Sequence, residues 1–157
     1  MGSCCFIGYR DAPETLLPAL EQAVERHIVE CGVGEVLVGR YGRFDALAAR
    51  AVMAAKKRHR WVTLTLLLPY HPFDRPVPTP EGFDGTLYPP GMESVPKRLA
   101  IVRANRWMVE HSDFLIAYVW HGAGHSREIL EAARRRQARG WMQVCNLAGP
   151  LAETRPR

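Results

Sequence analysis

Short apolar runs alternate with longer amphipathic stretches along the chain, and this alternation predicts its secondary structure. Five apolar runs predict β-strands, and they lie at residues 4–8, 35–39, 61–68, 114–119 and 142–147. Between them, apolar residues recur at helical spacing, which predicts helices at about residues 13–31, 44–59, 94–111 and 126–139. Strands and helices therefore alternate in one regular series without an internal repeat.

This series indicates a fold class. Parallel strands that are joined through helices form a sheet with right-handed crossovers and with helices on both faces. We therefore predict an α/β three-layer sandwich with a mostly parallel, five-stranded sheet. Residues 1–148 are expected to form its single domain, and the polar residues 149–157 a flexible tail.

One stretch interrupts the regular pattern. Residues 69–96 contain eight of the twelve prolines and several glycines. We predict a long loop here, and a loop of this length inside a compact domain is usually functional or mobile.

Composition places the chain among ordinary globular proteins. Of its 157 residues, 47% are hydrophobic and 24% are charged. No apolar run approaches the roughly 20 residues that span a bilayer, and the N-terminus lacks the basic start and apolar core of a signal peptide. These features predict a cytoplasmic protein.

The formal charge of +5 comes largely from two basic runs, at residues 56–60 and 134–139. Both fall at predicted helix C-termini, where cations complement the helix dipole. Because no aromatic residues alternate with these charges as a stacking platform for nucleic acid requires, a solvated surface is favoured, and non-specific binding to polyanions stays open. The four cysteines, at positions 4, 5, 31 and 145, lack zinc-binding spacing, so neither a metal nor a cofactor is predicted.

The candidate binding residues follow three of the predicted strands. Ligands of parallel sheets bind beyond the carboxyl ends of the strands, where the strand order reverses. The candidates at these ends are Gly8, Tyr9, Arg10, Gly39, Arg40, Gly42, Arg43, Asp45, Gly122, Gly124 and Ser126. The last three precede a helix, and a strand, glycine turn and helix together present backbone N–H groups and the helix dipole to an anion. A phosphorylated ligand is the leading hypothesis.

Most of these side chains have two interpretations. Arg10 is expected to pair with a phosphate rather than with a neighbouring carboxylate, and Arg40 and Arg43 are either anion contacts or exposed charges. Asp45 either caps its helix or accepts hydrogen bonds from a ribose hydroxyl. Tyr9 either stacks on a base or is a partly buried loop residue.

The residues around the third glycine segment are also ambiguous. Ser126 is expected to cap its helix, to donate to a phosphate oxygen, or both. Glu128 and His125 are the obvious acid–base candidates there, and a structural role is favoured over a catalytic one. Asn105, on a predicted helix, is expected to form hydrogen bonds within the protein.

At these residues the chain resembles the SLOG superfamily, named after its SMF/DprA and LOG members, and in particular its YpsA/YoqJ-like branch. The resemblance rests on residues 4–10, 38–45, 103–119 and 144–147, and it extends over nearly the whole chain. It implies a Rossmann-like fold and a role in binding nucleotides or nucleotide-derived molecules, and it brings no established activity.

The chain departs from the family pattern in its glycine motifs. Tyr9 replaces the histidine that is usual in the first motif, and Arg40 stands at the second glycine of the second. In LOG enzymes a Pro-Gly-Gly-x-Gly-Thr motif and a following glutamate form the phosphate site and the catalytic carboxylate. Residues 121–128 correspond to it only loosely, and Glu128 falls one place away from the catalytic position.

We therefore predict a nucleotide-binding protein, with two alternatives. One is a phosphoribohydrolase-like N-glycosidase that acts on nucleoside 5′-monophosphates, with Glu128 as its catalytic candidate. The other is a DNA-binding protein related to DprA, which the basic composition suggests. A homodimer is also expected, because Trp141 precedes the last predicted strand near a sheet edge, where a partner commonly covers exposed aromatic residues.

Overall fold

The computed structural model describes residues 2–120 and 124–149, and these residues form one six-stranded sheet. Its strands are β1 (Gly2–Gly8), β2 (Val33–Val38), β3 (Thr63–Leu67), β4 (Gly85–Leu87), β5 (Phe114–Tyr118) and β6 (Gln143–Asn146). Every neighbouring pair is parallel, in the order β4-β3-β2-β1-β5-β6. The order reverses between β1 and β5, as in Rossmann-like folds. The predicted α/β class is confirmed.

The described residues also form four α-helices, which are α1 (Leu17–Val29), α2 (Arg43–Lys56), α3 (Ala100–Glu110) and α4 (His125–Ala138). The first two pack on one face of the sheet and the last two on the other. Successive side chains of a strand point to opposite faces, so Phe6 joins the first core while Cys5 and Ile7 join the second. Burial on both faces explains the continuous apolar runs.

None of the helices in the described part of the chain has the length and apolarity that crossing a bilayer requires.

Prolines shift two helix starts from their predicted positions. Residues Glu14–Leu16 form a 3-10 turn, and α1 begins at Leu17 with Pro18 in its first turn, where a missing N–H breaks no helical hydrogen bond. The third helix begins at Ala100 rather than near Ser94, because Pro96 disfavours helical geometry at the residue before it.

The prediction of five strands is wrong by one, because a sixth strand lies inside the proline-rich segment. β4 has only three residues, too few for a recognisable alternation of apolar and polar positions. It pairs with β3 along the edge of the sheet, and the amide of Leu68 donates to the carbonyl of Leu87 at 2.8 Å. Non-local pairing therefore determines this strand rather than its local sequence.

The opposite edge of the sheet is β6, beside the predicted dimer contact. The amide of Val144 donates to Oε1 of Gln137 at 2.7 Å, so a side chain occupies one of the hydrogen-bonding groups of this edge. Trp141 is 56% exposed, with the Arg139 guanidinium 5.0 Å from its ring centroid. The homodimer stays a prediction.

Candidate functional site

A cavity opens at the carboxyl end of β1, where the strand order reverses between β1 and β5. β1 lies between β2 and β5, and the chain leaves these neighbours toward opposite faces of the sheet. The cavity, which we call the switch-point cavity, has a volume of about 510 Å³. Its described lining residues are Ile7, Gly8, Tyr9, Arg10, Asp11, Tyr41, Asp45, Ile101, Val102, Asn105, Gly124, His125 and Ser126.

A second cavity lies on the β2 side of the first and has a volume of about 460 Å³. We call it the proline slot, because one wall is the segment from Val77 to Pro80. Its lining residues are Gly39, Arg40, Gly42, Asp45, Ala46, Ala49, Leu66, Val77, Pro78, Thr79, Pro80 and Phe83. Asp45 lines both cavities, so the two share a wall.

β1 ends at Gly8, and Tyr9 follows it. Both residues line the switch-point cavity. A Cβ atom on Gly8 would lie 2.3 Å from Cγ of Phe44, so packing against α2 requires a glycine here. The Tyr9 side chain is buried against Tyr118 and Trp120, and its hydroxyl accepts a hydrogen bond from the Trp120 amide at 2.7 Å. Of the two interpretations of Tyr9, this geometry favours a buried residue that holds the loop after β5.

The loop after β1 also holds the N-terminus of α2. The carbonyl of Arg10 accepts a hydrogen bond from the amide of Arg43 at 2.9 Å. At Gly42, φ is 132°, and a Cβ there would lie 2.8 Å from Cα of Arg10. Only glycine adopts this backbone without strain, and only glycine permits this approach. The Arg10 backbone is thus fixed, while its side chain is exposed at the cavity.

Asp45 lies in the first turn of α2, and its carboxylate accepts a hydrogen bond from the Tyr41 amide at 3.0 Å. Burial raises the pKa of this carboxyl from 3.8 to about 6, and the bond from Tyr41 opposes the shift. Asp45 therefore contributes to the start of the helix and faces two cavities. The N-cap of α2 is Gly42, and it makes no side-chain cap, so the capping interpretation of Asp45 is wrong, and its contact with a ribose stays a prediction.

At pH values above 6, Asp45→Asn is expected to raise the free energy of unfolding by about 1–2 kcal/mol. Solvent around this partly exposed carboxylate screens its charge and limits the effect to this size. The folded-state pKa of about 6 exceeds the ordinary aspartate pKa of 3.8. Folding therefore takes up a proton between these values, and wild-type stability falls as pH rises through this window. Urea unfolding from pH 4 to 8 measures the difference, which should shrink toward pH 4.

The control for this prediction is Asp74→Asn, which removes an exposed carboxylate of the proline-rich segment. Its unfolding free energy at pH 8 should differ from that of wild type by less than about 0.5 kcal/mol. A lower stability of Asp45→Asn at pH 8 would show that the charged form of Asp45 stabilises the fold instead.

The N-terminus of α4 forms the far side of the switch-point cavity. Gly124 is the N-cap of the helix, with φ at 96°, and no side chain of the described residues caps the helix there. Ser126 lies in the first turn, so the expectation that it caps α4 is wrong, and it forms part of the cavity wall. Gly122, another candidate of this segment, lies outside the described residues.

Glu128 does not belong to the described lining of either cavity. Its side chain is 68% exposed, and Oε1 lies 3.9 Å from Nδ1 of His125. Arg43, at the start of α2, is likewise exposed and outside both linings. The structure therefore brings nine of the eleven ligand-binding candidates to the two cavities. Of the other two, Arg43 lies at the surface and Gly122 is not among the described residues.

Asn105 is a cavity residue that the sequence interpretation placed elsewhere. Its side chain faces the switch-point cavity from α3 and forms no hydrogen bond with the residues that the structure describes, contrary to the expectation of internal bonding. A Cβ on Gly39 would lie 2.9 Å from Asp45 Oδ2 and 4.0 Å from Asn105 Oδ1, so the two oxygens face one region. No local signal in the sequence distinguishes this residue from a polar residue that faces solvent.

Several arginine side chains lie at this edge of the sheet. Within residues 2–120 and 124–149, Arg10, Arg40 and Arg43 form no ion pair. By contrast, Lys56 and Arg58 at the opposite end of α2 pair with Asp84 and Glu25. Cationic side chains around a concave surface raise the local concentration of anions, so this edge is suited to an anionic ligand.

Within the described residues, no group of three or more His, Cys, Asp or Glu side chains is placed to hold a metal ion.

The sequence was compared with protein-family models and with curated proteins. No protein-family model matches the chain, and no curated protein matches it. The fold itself is an α/β architecture with an all-parallel sheet and helices on both faces. The chain is therefore a Rossmann-like protein with two adjoining cavities at the carboxyl edge of its sheet.

Proposed function

We propose that this chain is a SLOG-type protein that binds a nucleotide or nucleotide derivative in the switch-point cavity. The observation that carries the proposal is the convergence there of Arg10, the N-terminus of α4 and two polar side chains, Asp45 and Asn105. The segments that carry the SLOG resemblance, residues 4–10 and 38–45, supply much of this surface.

The phosphate of such a ligand belongs at the N-terminus of α4. Backbone N–H groups of the first turn and the positive end of the helix dipole favour an anion there. Ser126 adds a hydroxyl donor, and Arg10 supplies a guanidinium that can bind phosphate through two parallel hydrogen bonds. This arrangement combines positive charge with hydrogen-bond donors of defined orientation. A solvated basic surface lacks such oriented donors.

The sugar belongs near Asp45 and Asn105. A carboxylate accepts hydrogen bonds from hydroxyl groups, and an amide side chain both donates and accepts. The two side chains approach one region from α2 and α3. A polyhydroxylated ring between them would form hydrogen bonds with both side chains.

Binding without an assigned reaction fits the geometry better than either alternative. The exposed Glu128 carboxylate lies outside the described cavity lining, whereas a general acid or base must reach the reacting atom. The basic runs belong to the C-terminal ends of α2 and α4, whereas the cavities lie at the helix N-termini. Neither N-glycosidase action nor DNA binding therefore gains support from the placement of its residues.

We expect purified protein to bind at least one nucleoside 5′-monophosphate or ADP-ribose, and Arg10→Gln to weaken that binding about 10-fold or more. The loss corresponds to a charge-assisted hydrogen bond of about 1.5–3 kcal/mol. Isothermal titration calorimetry measures the affinity, and a thermal-shift screen identifies the ligand beforehand, since a ligand at about 100 times its Kd stabilises the fold by about 2.7 kcal/mol.

The matched control is Arg135→Gln, which removes an exposed arginine in the last turn of α4, at the far end from the cavity. Its affinity should equal that of the wild type. Equal losses in both variants would indicate non-specific attraction of anions. The absence of any response to these nucleotides at millimolar concentration would refute the proposed function.

A further inference from the structure

The proline slot differs in chemistry from the cavity beside it. Most of its wall is apolar and comes from α2, β3 and the proline-rich segment, through Ala46, Ala49, Leu66, Val77 and Phe83. Its polar side chains are Arg40, Asp45 and Thr79, and Asp45 also lines the switch-point cavity. An apolar compartment with a polar opening fits the flat, weakly polar ring of a larger ligand.

The outer wall of the slot is fixed to the sheet. The amide of Phe83 donates to the carbonyl of Pro80 at 3.1 Å, and the amide of Asp84 donates to the carbonyl of Leu64 at 2.8 Å. The Asp84 carboxylate in turn accepts a hydrogen bond from the Leu64 amide at 2.8 Å and pairs with Lys56 of α2. These contacts fix the end of the outer wall to β3 and α2.

Prolines add stiffness to this wall. Pro78 and Pro80 have a restricted φ angle, so the segment between them has few conformations to lose when a ligand binds. Preorganisation of this kind increases affinity because less conformational entropy is lost. The clustering of prolines beside Ala46 and Ala49, two small residues, leaves space for a ring rather than for a side chain.

We infer that the proline slot is the base-binding compartment of the ligand whose phosphate lies at the N-terminus of α4. The inference rests on the proposed function and deepens it. Asp45 lines both cavities, so a ribose beside it has its phosphate on the polar side and its base on the apolar side. The proline-rich segment, outside the residues that carry the SLOG resemblance, then determines which bases are accepted.

The competing position for the base is inside the switch-point cavity, against Ile101 and Val102 of α3. That cavity already has to hold the phosphate and the sugar. Its wall also includes Arg10, Asp11 and Asn105, whose polar groups lose hydration when a base covers them. A base in the proline slot buries apolar surface with a smaller loss of hydration of polar groups. We therefore place the base in the slot.

The test compares a nucleoside 5′-monophosphate with ribose 5-phosphate, which lacks the base. Ala46→Phe places a large ring in the slot from an exposed position of α2. We expect calorimetry to show at least a 10-fold loss of nucleotide affinity, to the level of ribose 5-phosphate, and no change for ribose 5-phosphate itself. Thr79→Trp fills the slot from its other wall and is expected to have the same effect.

The matched control is Ala138→Phe, the same substitution at an exposed position of α4 that lines neither cavity. Circular dichroism and urea midpoints establish that each variant is folded. Unchanged nucleotide affinity in either folded slot variant, or equal affinity of wild type for the two ligands, overturns the inference and leaves the proposed function standing. If neither ligand binds to the wild type, the proposed function fails with it.

Discussion

Gly8→Ala is expected to lower the free energy of unfolding by about 3 kcal/mol, at the upper end of the usual cost of overpacking a core. The new Cβ would lie 2.3 Å from Cγ of Phe44 and 2.5 Å from its Cδ2, far inside van der Waals contact. Phe44 is buried and packs against Phe6 and Tyr118, so its ring has no free space to move into. Urea unfolding of both proteins measures the loss.

Gly85→Ala is the matched control, because a Cβ at this edge-strand position meets no atom within 4 Å. Its unfolding free energy should stay within about 0.5 kcal/mol of wild type. Phe44→Leu in the Gly8→Ala background should recover part of the loss, with a coupling of about 1 kcal/mol or more between the two sites. Strict additivity would show that the clash is relieved elsewhere.

Asn146→Ala is expected to lower the free energy of unfolding by about 2–3 kcal/mol. The Asn146 amide accepts a hydrogen bond from the Val119 N–H at 3.2 Å and donates one to the Val119 carbonyl at 2.8 Å. Val119 is fully buried, so water cannot replace these bonds. A buried backbone group that loses its partner costs about 1–3 kcal/mol. Chemical unfolding and amide hydrogen exchange near Val119 measure the effect.

Asn105→Ala provides the comparison, because this asparagine forms no hydrogen bond with other described residues and lies at the cavity. Its unfolding free energy should change by less than about 0.5 kcal/mol, while affinity for the nucleotide should fall. A similar loss of stability in both variants would contradict the different roles that the structure assigns to the two side chains.

Much of the fold could be predicted from the sequence because each long element has a strong periodic signal. Residues 114–119 form an apolar run that only a strand buried on both faces explains, and β5 lies there. The short strand β4 could not be predicted in this way. A strand of three residues, Gly85–Leu87, has no recognisable period, and its pairing with β3 depends on residues 20 positions away.

The candidate site shows the same division. Gly8, Arg10, Gly39 and Asp45 were recognisable because glycine and charge at the ends of apolar runs are unusual. Asn105 was not, because nothing local separates a polar residue that faces a cavity from one that faces solvent. Tyr9 carried an ambiguous signal, which the packing of its ring against Trp120 resolves in favour of burial.

The sequence by itself determined the α/β class, the alternation of elements and the three strand ends that carry glycine and charge, since local periodicity and backbone preference encode these features. The tertiary structure decided the strand order, the placement of α3 beside α4 and the enclosure of a second cavity by residues 77–80. Strand order and enclosure arise from contacts between distant segments, whose energies depend on how complete surfaces fit together. For this reason the proline slot, and with it the inferred position of the base, emerged only from the folded chain.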